Sequence, residues 1–580
     1  MTSALLALIL AGAQPALPPI LHVSDVHAGM KCTGRTVYTG TEIVDFQAEI
    51  LGVQPGGWGP GEDVIIARLV GPNADRYGVV AGMSGSPIYC GGKLIGALSL
   101  SMGQFMREPI AGITPIDSML RVSGSRGWPT PQGTQTRSGG GAEFRPIGTP
   151  LMLAGFAPET LPLAQKLLEP FGFVVSVGGG ASSPAGVAAT MATTTPDVAA
   201  AKTLEPGSAV AGVLIDGDVN VAATGTLTWR EKDSIVAFGH SFLLYGDVEM
   251  PMATANIITT VPSDSYSYKM ATPTAIVGAV TRDNRTAIAG TVGATASLIP
   301  VTVVLPEGTT PREIHFRVFR NRMLTAPMMT IGVMNGLLGN AAYDAEGTVR
   351  LDGRLVVDGY PEIKLSRTYF DPGPSGASIP GIAAEISATL QKLFDNDLAP
   401  AQVKSVSLSF AVEKQHRETK IDSAWSERNE VRAGETVGVR VRMRPYRGTA
   451  EVREVRVKIP EGTPPGPLTV SVADAKTFDT RDRIAPGLVR ADDLGSLIDQ
   501  YNGRRPEDTL YVRLTRVAAG AIVRGVSLSS LPPDALAVVR GAGQSAGGAD
   551  PLGETTVDEV KMPLGARVVG AAEFTIVVKP

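Results

Sequence analysis

The segment Gly82-Met83-Ser84-Gly85-Ser86-Pro87-Ile88 places the tightest local constraint on this chain. It lies between two apolar runs, Val79-Val80-Ala81 and Leu94-Ile95-Gly96-Ala97-Leu98. Runs this short, bounded by glycine, read as strands joined by a tight turn. Small neighbours let the backbone curl around the serine, so that amide N–H groups converge on one point and could hold an oxyanion. A Gly/Ser hairpin turn without chemistry has the same composition, and these seven residues alone leave both readings open. They are not the nucleophile elbow of α/β-hydrolases, which needs glycine two residues after the serine, where Ser86 stands.

The rest of the chain shares this turn-rich character. Its 67 glycines and 43 prolines punctuate Val- and Thr-rich runs, and aromatics are only 5%, which favours a mainly β architecture. With 43% apolar and 19% charged residues among 580, large cores are possible, and the length corresponds to about four domains. The net charge is −4 and no basic stripe occurs, which argues against a nucleic-acid partner. No nucleotide-binding glycine loop, metal-ligand cluster or paired-carboxylate motif stands out, so no cofactor is expected.

Residues 1–18 read as a signal-peptide-like segment. The apolar run Ala4–Ala11 is followed by the small residues Gly12-Ala13-Gln14-Pro15-Ala16, although only Met1-Thr2-Ser3 precede it and a basic start is missing. The run is too short to cross a bilayer and no later stretch qualifies, so no integral membrane span is expected. Export to a periplasm, cell envelope or extracellular space follows. The chain has two cysteines, Cys32 and Cys90. In an exported protein an even pair suggests one disulfide, with two buried thiols as the alternative. A Cys32–Cys90 bridge requires Cα atoms closer than about 7 Å.

Along the chain, residues 19–125 form a β-domain, with Val44–Ile50 alternating and Val64–Val70 a further strand. A Pro-, Thr- and Gly-rich linker covers 126–145. Residues 146–400 hold an amphipathic helix near 158–169, a loose segment at Gly178-Gly179-Gly180, and strands at Ala209–Ile215, Gly225–Trp229, Ser234–Phe238 and Ile299–Leu305. A helix with Ile382, Ile386, Leu390, Leu393 and Phe394 at helical spacing closes this part. From Val403 short alternating strands with turn signals suggest an immunoglobulin-like β-sandwich over 401–475. A small mixed C-terminal region, 476–580, holds a helix at Ala491–Tyr501, a glycine-rich loop at Gly541–Gly548 and a last strand near Phe574–Val578.

A serine nucleophile needs a base, and there are only five histidines: His22, His27, His240, His315 and His416. His240 ends the apolar strand Ile235-Val236-Ala237-Phe238 through Gly239, which suits a side chain projected into a cleft. His27 lies in a turn beside Gly29, His315 alternates with Ile314 and Phe316, and His416 lies in the polar, solvated stretch Glu413–Lys420. Taken singly, each histidine fits a structural role.

Taken together, the segments are more specific. Gly225-Thr226-Leu227-Thr228-Trp229 with Ala237-Phe238-Gly239-His240 resembles the histidine motif of the SpoIVB-type (stage IV sporulation protein B) serine peptidases. Gly82–Ile88, with Gly92-Lys93-Leu94-Ile95-Gly96-Ala97 after it, resembles that family's serine motif. The lead-in Phe46–Leu51, the strand Val64–Leu69 and Ala111-Gly112-Ile113-Thr114-Pro115-Ile116 fit as well. The resemblance covers about residues 25–120 and 205–300. It implies a trypsin-like double β-barrel, with the serine-bearing half-barrel at 19–125 and the histidine-bearing one within 146–400. Three features depart from the family. Serine precedes histidine, as in circularly permuted halves. The family's aspartate aligns with Leu69, leaving Asp75 as the nearest acid, with Asp63 and Asp247 as further candidates, or a Ser–His dyad. No PDZ domain is recognisable.

The resemblance implies an exported serine endopeptidase acting on a protein or peptide substrate. Ser84 would attack the peptide carbonyl and His240 would carry the proton, with Asp75 as third member. The amides of Gly82 and Ser84 would form the oxyanion hole. Met83 cannot receive a new N-terminus, so zymogen activation of that kind is closed to it. Ser86 is expected as a turn hydroxyl bonded to backbone. The alternative reading is a non-catalytic cell-envelope binding or scaffold protein that keeps a peptidase-like barrel. An adhesive or carbohydrate-binding β-protein rests only on the C-terminal strands.

Overall fold

The computed structural model describes residues 18–103, 106–124, 144–171, 173, 175–177, 193–306, 310–339, 347–371, 379–484, 491–523, 526–528, 531–542 and 550–580. The apolar run 4–16, the linker 126–143, the Gly178–Gly180 segment and 543–548 of the glycine-rich loop lie outside them. The chain is mainly β. It divides into two compact units, Met1–Ile299 with His315–Met328, and Pro300–Ile314 with Met329–Pro580.

The first unit contains two barrels. In the first, strands β1 (Lys31–Val37), β2 (Ile43–Gly59), β3 (Glu62–Val70), β4 (Ser86–Cys90), β5 (Lys93–Ser101) and β6 (Ile110–Pro115) pair antiparallel in the order β4-β1-β2-β3-β6-β5. Strand β5 also pairs with β4, which closes the ring of six. The alternation read in β2 turns Phe46, Ala48 and Ile50 inward, where they join Ile65, Met83, Ile88, Leu98 and Ile113 in one core. Two short helices attach to this barrel, α1 (Pro72–Tyr77) and α2 (Ile116–Val122). The predicted helix near 158–169 is present as α3 (Leu161–Leu168).

The second barrel is built from β7 (Ala209–Gly217), β8 (Asn220–Glu231), β9 (Ser234–Ala237), β10 (Gly246–Val261), β11 (Tyr268–Asn284) and β12 (Ala287–Val292). These pair antiparallel in the order β7-β10-β11-β12-β9-β8, and β8 returns to β7. Small residues on one face of its strands, Ala209, Ala211, Ala222, Ala253 and Ala255, pack with Val213 and Ile257 and with Val37 of β1. A closed ring leaves no long open edge.

The expected domain limits shift in the second unit. Within 146–400 the strands of the histidine-bearing barrel run from Ala209 to Val292. The strand Val403–Glu413 (β16), assigned by its alternation to the sandwich, instead pairs antiparallel with β14 (Gly347–Val357) and parallel with β13 (Leu298–Leu305), and β15 (Ile363–Asp371) extends that sheet from β14. Periodicity marks a strand but does not name its partner. Helix α4 (Ile379–Phe394) has the predicted apolar stripe, with Ile382, Ile386, Leu390 and Leu393 buried.

Two further sheets draw strands from both sides of residue 475. One sheet runs β20-β19-β17-β24, from Glu451–Lys458, Thr436–Pro445, Glu418–Ser426 and Arg567–Val569. The other contains β18-β25-β21-β22, from Glu430–Arg432, Ala571–Lys579, Gly466–Ala473 and Thr509–Val523, with β23 (Asp550–Pro563) on β22. Val439 and Val441 from the first sheet and Val470, Val512, Leu514 and Ile576 from the second share one core. The region read as mixed therefore contributes strands to both sheets, and α5 (Leu494–Asn502) is its predicted helix. Among the described residues no helix is long and apolar enough to cross a membrane.

Cys32 and Cys90 face each other across β1 and β4 and are bridged, with Cα atoms 4.3 Å apart. The bond ties residues 58 apart in sequence. Replacing both cysteines by serine is expected to destabilise the first barrel by about 2–4 kcal/mol, seen as a lower urea midpoint. An unchanged midpoint would mean that strand closure alone holds this barrel.

Candidate active site

Ser84 lies in the turn that leads into β4, and His240 lies three residues beyond the end of β9. Backbone contacts interlock the two segments. The Thr226 amide on β8 donates to Ser84 O at 2.7 Å, and the Phe238 amide donates to Thr226 O at 3.2 Å. One strand residue therefore joins the serine turn to the approach to His240. Thr226 Oγ1 also donates to Gly82 O (3.1 Å), and Thr228 Oγ1 to Gly85 O (2.7 Å). From the other side Ser99 Oγ donates to Thr114 Oγ1, which donates to Gly239 O, both at 2.7 Å.

This close approach explains Gly85. Its φ of +93° is a left-handed value, and a Cβ would collide with Thr226 O and lie 2.5 Å from Phe238 N. The turn is further fixed by Gly85 N–H donating to Leu98 O (2.8 Å) and by Ser86 Oγ donating to Met83 O (2.6 Å). Ser86 is thus a turn hydroxyl bonded to backbone. Met83 is fully buried in the core of the first barrel.

Ser84 is 0% exposed and His240 2%. Ser84 Oγ and His240 Nε2 are both buried, and neither makes a hydrogen bond to any described group, including each other. The other ring nitrogen, Nδ1, is 2.7 Å from Ser241 O. A carbonyl only accepts, so Nδ1 carries the proton. Burial pushes the His240 pKa down to about 4, against smaller opposing effects of the Ser241 and Ile147 carbonyls. At neutral pH the ring is therefore neutral, and Nε2 presents an unprotonated lone pair. The result is a buried acceptor without a donor and a buried hydroxyl donor without an acceptor, held by interlocked segments. Folded proteins carry only a few buried polar atoms without a partner, Asn220 Oδ1, Thr224 Oγ1 and Thr515 Oγ1 being others here, and this pair differs in joining a donor and an acceptor.

Not every sequence-predicted residue meets this pair. Asp75 is exposed on α1, and no described contact joins it to His240; the carbonyl of Ser241 takes the place beside Nδ1. Asp63 Oδ1 accepts from the Gly56 amide, and Asp247 faces Arg282 at the surface. Leu69 is buried. The Gly82 amide, expected to hold an oxyanion, instead donates to Gly148 O at 3.2 Å. The other histidines stand apart. His22 pairs with Asp117, and His27 Nδ1 faces Ala28 O. His315 binds Asp218 through its backbone. His416, expected to be solvated, stacks between Phe370 and Tyr446 with its side chain 5% exposed. Local polarity did not reveal that aromatic pair, which comes from distant strands. Among the described residues, no three His, Cys, Asp or Glu side chains converge as a metal site.

Two residues near the site gave no sequence signal. Asp283 is buried and accepts the amides of Phe242 (2.7 Å) and Leu243 (2.6 Å), which fixes the loop after His240 and with it the Ser241 carbonyl. Burial raises its pKa, opposed by those amides and by the amides of Tyr245 and Leu244. Lys269 is also buried; its stem covers Gly82 and its Nζ donates to Thr36 Oγ1 at 2.8 Å. Burial pushes it down to about 7. Both are charged residues within β strands, where alternation predicts only whether a residue faces in or out.

Comparison with known proteins finds no matching family model, no curated relative and no solved structure of significant similarity.

The depressed His240 pKa has a stability consequence. Above about pH 6.5 the ring is neutral in both folded and unfolded chains, and the full stability is present. As pH falls from 6.5 towards 4 the unfolded chain takes up a proton that the folded one does not, and stability is lost. The loss is on the order of 3 kcal/mol. His240→Gln should remove this share of the acid destabilisation, measured as the difference in urea midpoint between pH 7 and pH 4.5. An identical drop in the variant would mean that His240 is accessible to protons when folded.

Proposed function

We propose that the chain is an exported serine endopeptidase of the SpoIVB type, working by acyl transfer through a Ser84–His240 dyad. The observation that supports it is the pair of buried, complementary orphans at the junction of two six-strand barrels. Ser84 Oγ attacks a peptide carbonyl while His240 Nε2 accepts its proton, and the imidazolium returns that proton to the leaving amine. Nδ1–H donating to Ser241 O fixes the tautomer, a task that an aspartate performs in a triad. Ser84 N–H and Gly82 N–H hold the oxyanion once Gly148 O is displaced. The serine barrel precedes the histidine barrel, and we read this order as a circular permutation. The disulfide supports an oxidising, extracytoplasmic compartment.

The same pair also carries a second reading. Ser84 Oγ and His240 Nε2 make no hydrogen bond and neither is exposed, which suits an envelope barrel that binds a peptide without cleaving it. Prolonged incubation with a fluorophosphonate probe separates the two. The full chain should be labelled at Ser84, Ser84→Ala should abolish labelling, and His240→Ala should slow it by at least about 10³-fold. Asp75→Asn should label like the wild type. Labelling that persists in Ser84→Ala, or none in the wild type, would leave only the binding reading.

A further inference from the structure

Strand β4 begins at Ser86, opposite Leu98, so the last three residues of β5 run past it. The edge of Ser99–Ser101 that faces the serine turn is covered by the chain's own segment Arg145–Gly148. Arg145 pairs antiparallel with Ser101 and Pro146 with Leu100, and the Ile147 amide donates to Ser99 O at 2.8 Å. Ile147 is 1% exposed, its side chain belongs to the core of the serine barrel, and its backbone lies beside the His240 ring. Gly148 O then takes the Gly82 amide. In one run of four residues this segment fills a strand edge, reaches the imidazole and occupies an oxyanion donor.

We infer that Arg145–Gly148 is an intramolecular pseudosubstrate, seated in the track where an extended peptide substrate binds, and that it must leave before Ser84 can react. The inference rests on the peptidase reading. It accounts for the complete burial of the nucleophile, which no enzyme could use in this state. It also describes the substrate. An extended chain adds antiparallel to β5 and places an apolar side chain where Ile147 sits. A glycine-sized residue follows, because a Cβ on Gly148 would collide with the Tyr266 hydroxyl. Tyr266 is thus a specificity-determining residue. The φ of Gly148 lies outside the left-handed region, so space alone demands glycine there.

Gly148→Ala should therefore unseat the segment without straining the backbone. Two readouts on the full chain test this: deuterium exchange at the Gly82 and Ile147 amides, and the rate of fluorophosphonate labelling. Both should rise, the labelling rate by about tenfold, the shift in open population expected when one or two ordinary hydrogen bonds are lost. Ile147→Ala, which creates no clash, should act in the same direction. Tyr266→Ala added to Gly148→Ala should return both readouts towards wild type. A synthetic Arg-Pro-Ile-Gly-Thr-Pro peptide should slow labelling of the Gly148→Ala chain. Unchanged exchange, or faster exchange with labelling still at the wild-type rate, would overturn the inference. Faster exchange with no labelling in any chain would support the seated segment and overturn the peptidase reading instead.

Discussion

The amide of Thr226 donating to the Ser84 carbonyl is the contact on which the site depends. It is a backbone bond between a turn of one barrel and a strand of the other, and side-chain substitution at Ser84 does not remove it. Thr226 and Thr228 then use their hydroxyls on Gly82 O and Gly85 O. Two alternate residues of β8, on one face of the strand, thereby set the curvature of the serine turn. Leu227, between them, is fully buried. Glycine at 85 is the steric condition for all of this, because any Cβ would push the two barrels apart at the point where they must meet.

The electrostatics follow from the same closeness. Interlocked backbones exclude water, and exclusion of water keeps His240 neutral. A neutral imidazole with Nδ1–H committed to a carbonyl has one remaining function, which is to accept a proton at Nε2. The site needs no carboxylate to choose this tautomer. The carboxylate that does matter, Asp283, works one step away, by gathering the amides of the loop that carries Ser241. This arrangement orients the imidazole without placing a negative charge beside it, so carbonyl dipoles rather than an anion would face the ring if it were protonated.

Much of this was legible in the sequence because it is local. The serine turn, the strands on either side and the two threonines of Gly225–Trp229 appear as short patterns, and each recurs in the structure as an element with the expected direction. The apolar period of Ile379–Phe394 was legible for the same reason. What the sequence hid is non-local. Val403–Glu413 alternates as well as any sandwich strand, yet it pairs with Gly347–Val357, and nothing in its own residues selects that partner. Asp283 and Lys269 are charged residues in the middle of strands, and only the fold shows that they are buried. His416 is surrounded by charge in sequence and by aromatic rings in space. Asp75, assigned as third member, has no described contact with His240, for a related reason: nearness along the chain to a serine says little about which group lies beside a histidine more than 150 residues away.

The Arg145–Gly148 segment joins these points. Closing a barrel normally removes its edges, but this barrel leaves Ser99–Ser101 unmatched by β4, next to the serine turn. An unmatched edge attracts an extended chain, whether a substrate or a segment of the protein itself. The segment that lies there is short: it pairs through Arg145 and Pro146 with Ser101 and Leu100, gives one amide to Ser99 and one carbonyl to Gly82, and touches His240 and the Tyr266 hydroxyl through the Ile147 and Gly148 backbone. An incoming peptide that makes the same contacts competes with a tethered segment, and so must be present above that segment's effective concentration or add contacts of its own. Burial of Ser84 is in that sense conditional. The permanent features are the interlocked turn and the oriented imidazole, while the covering strand is the one part of the site that the geometry allows to exchange.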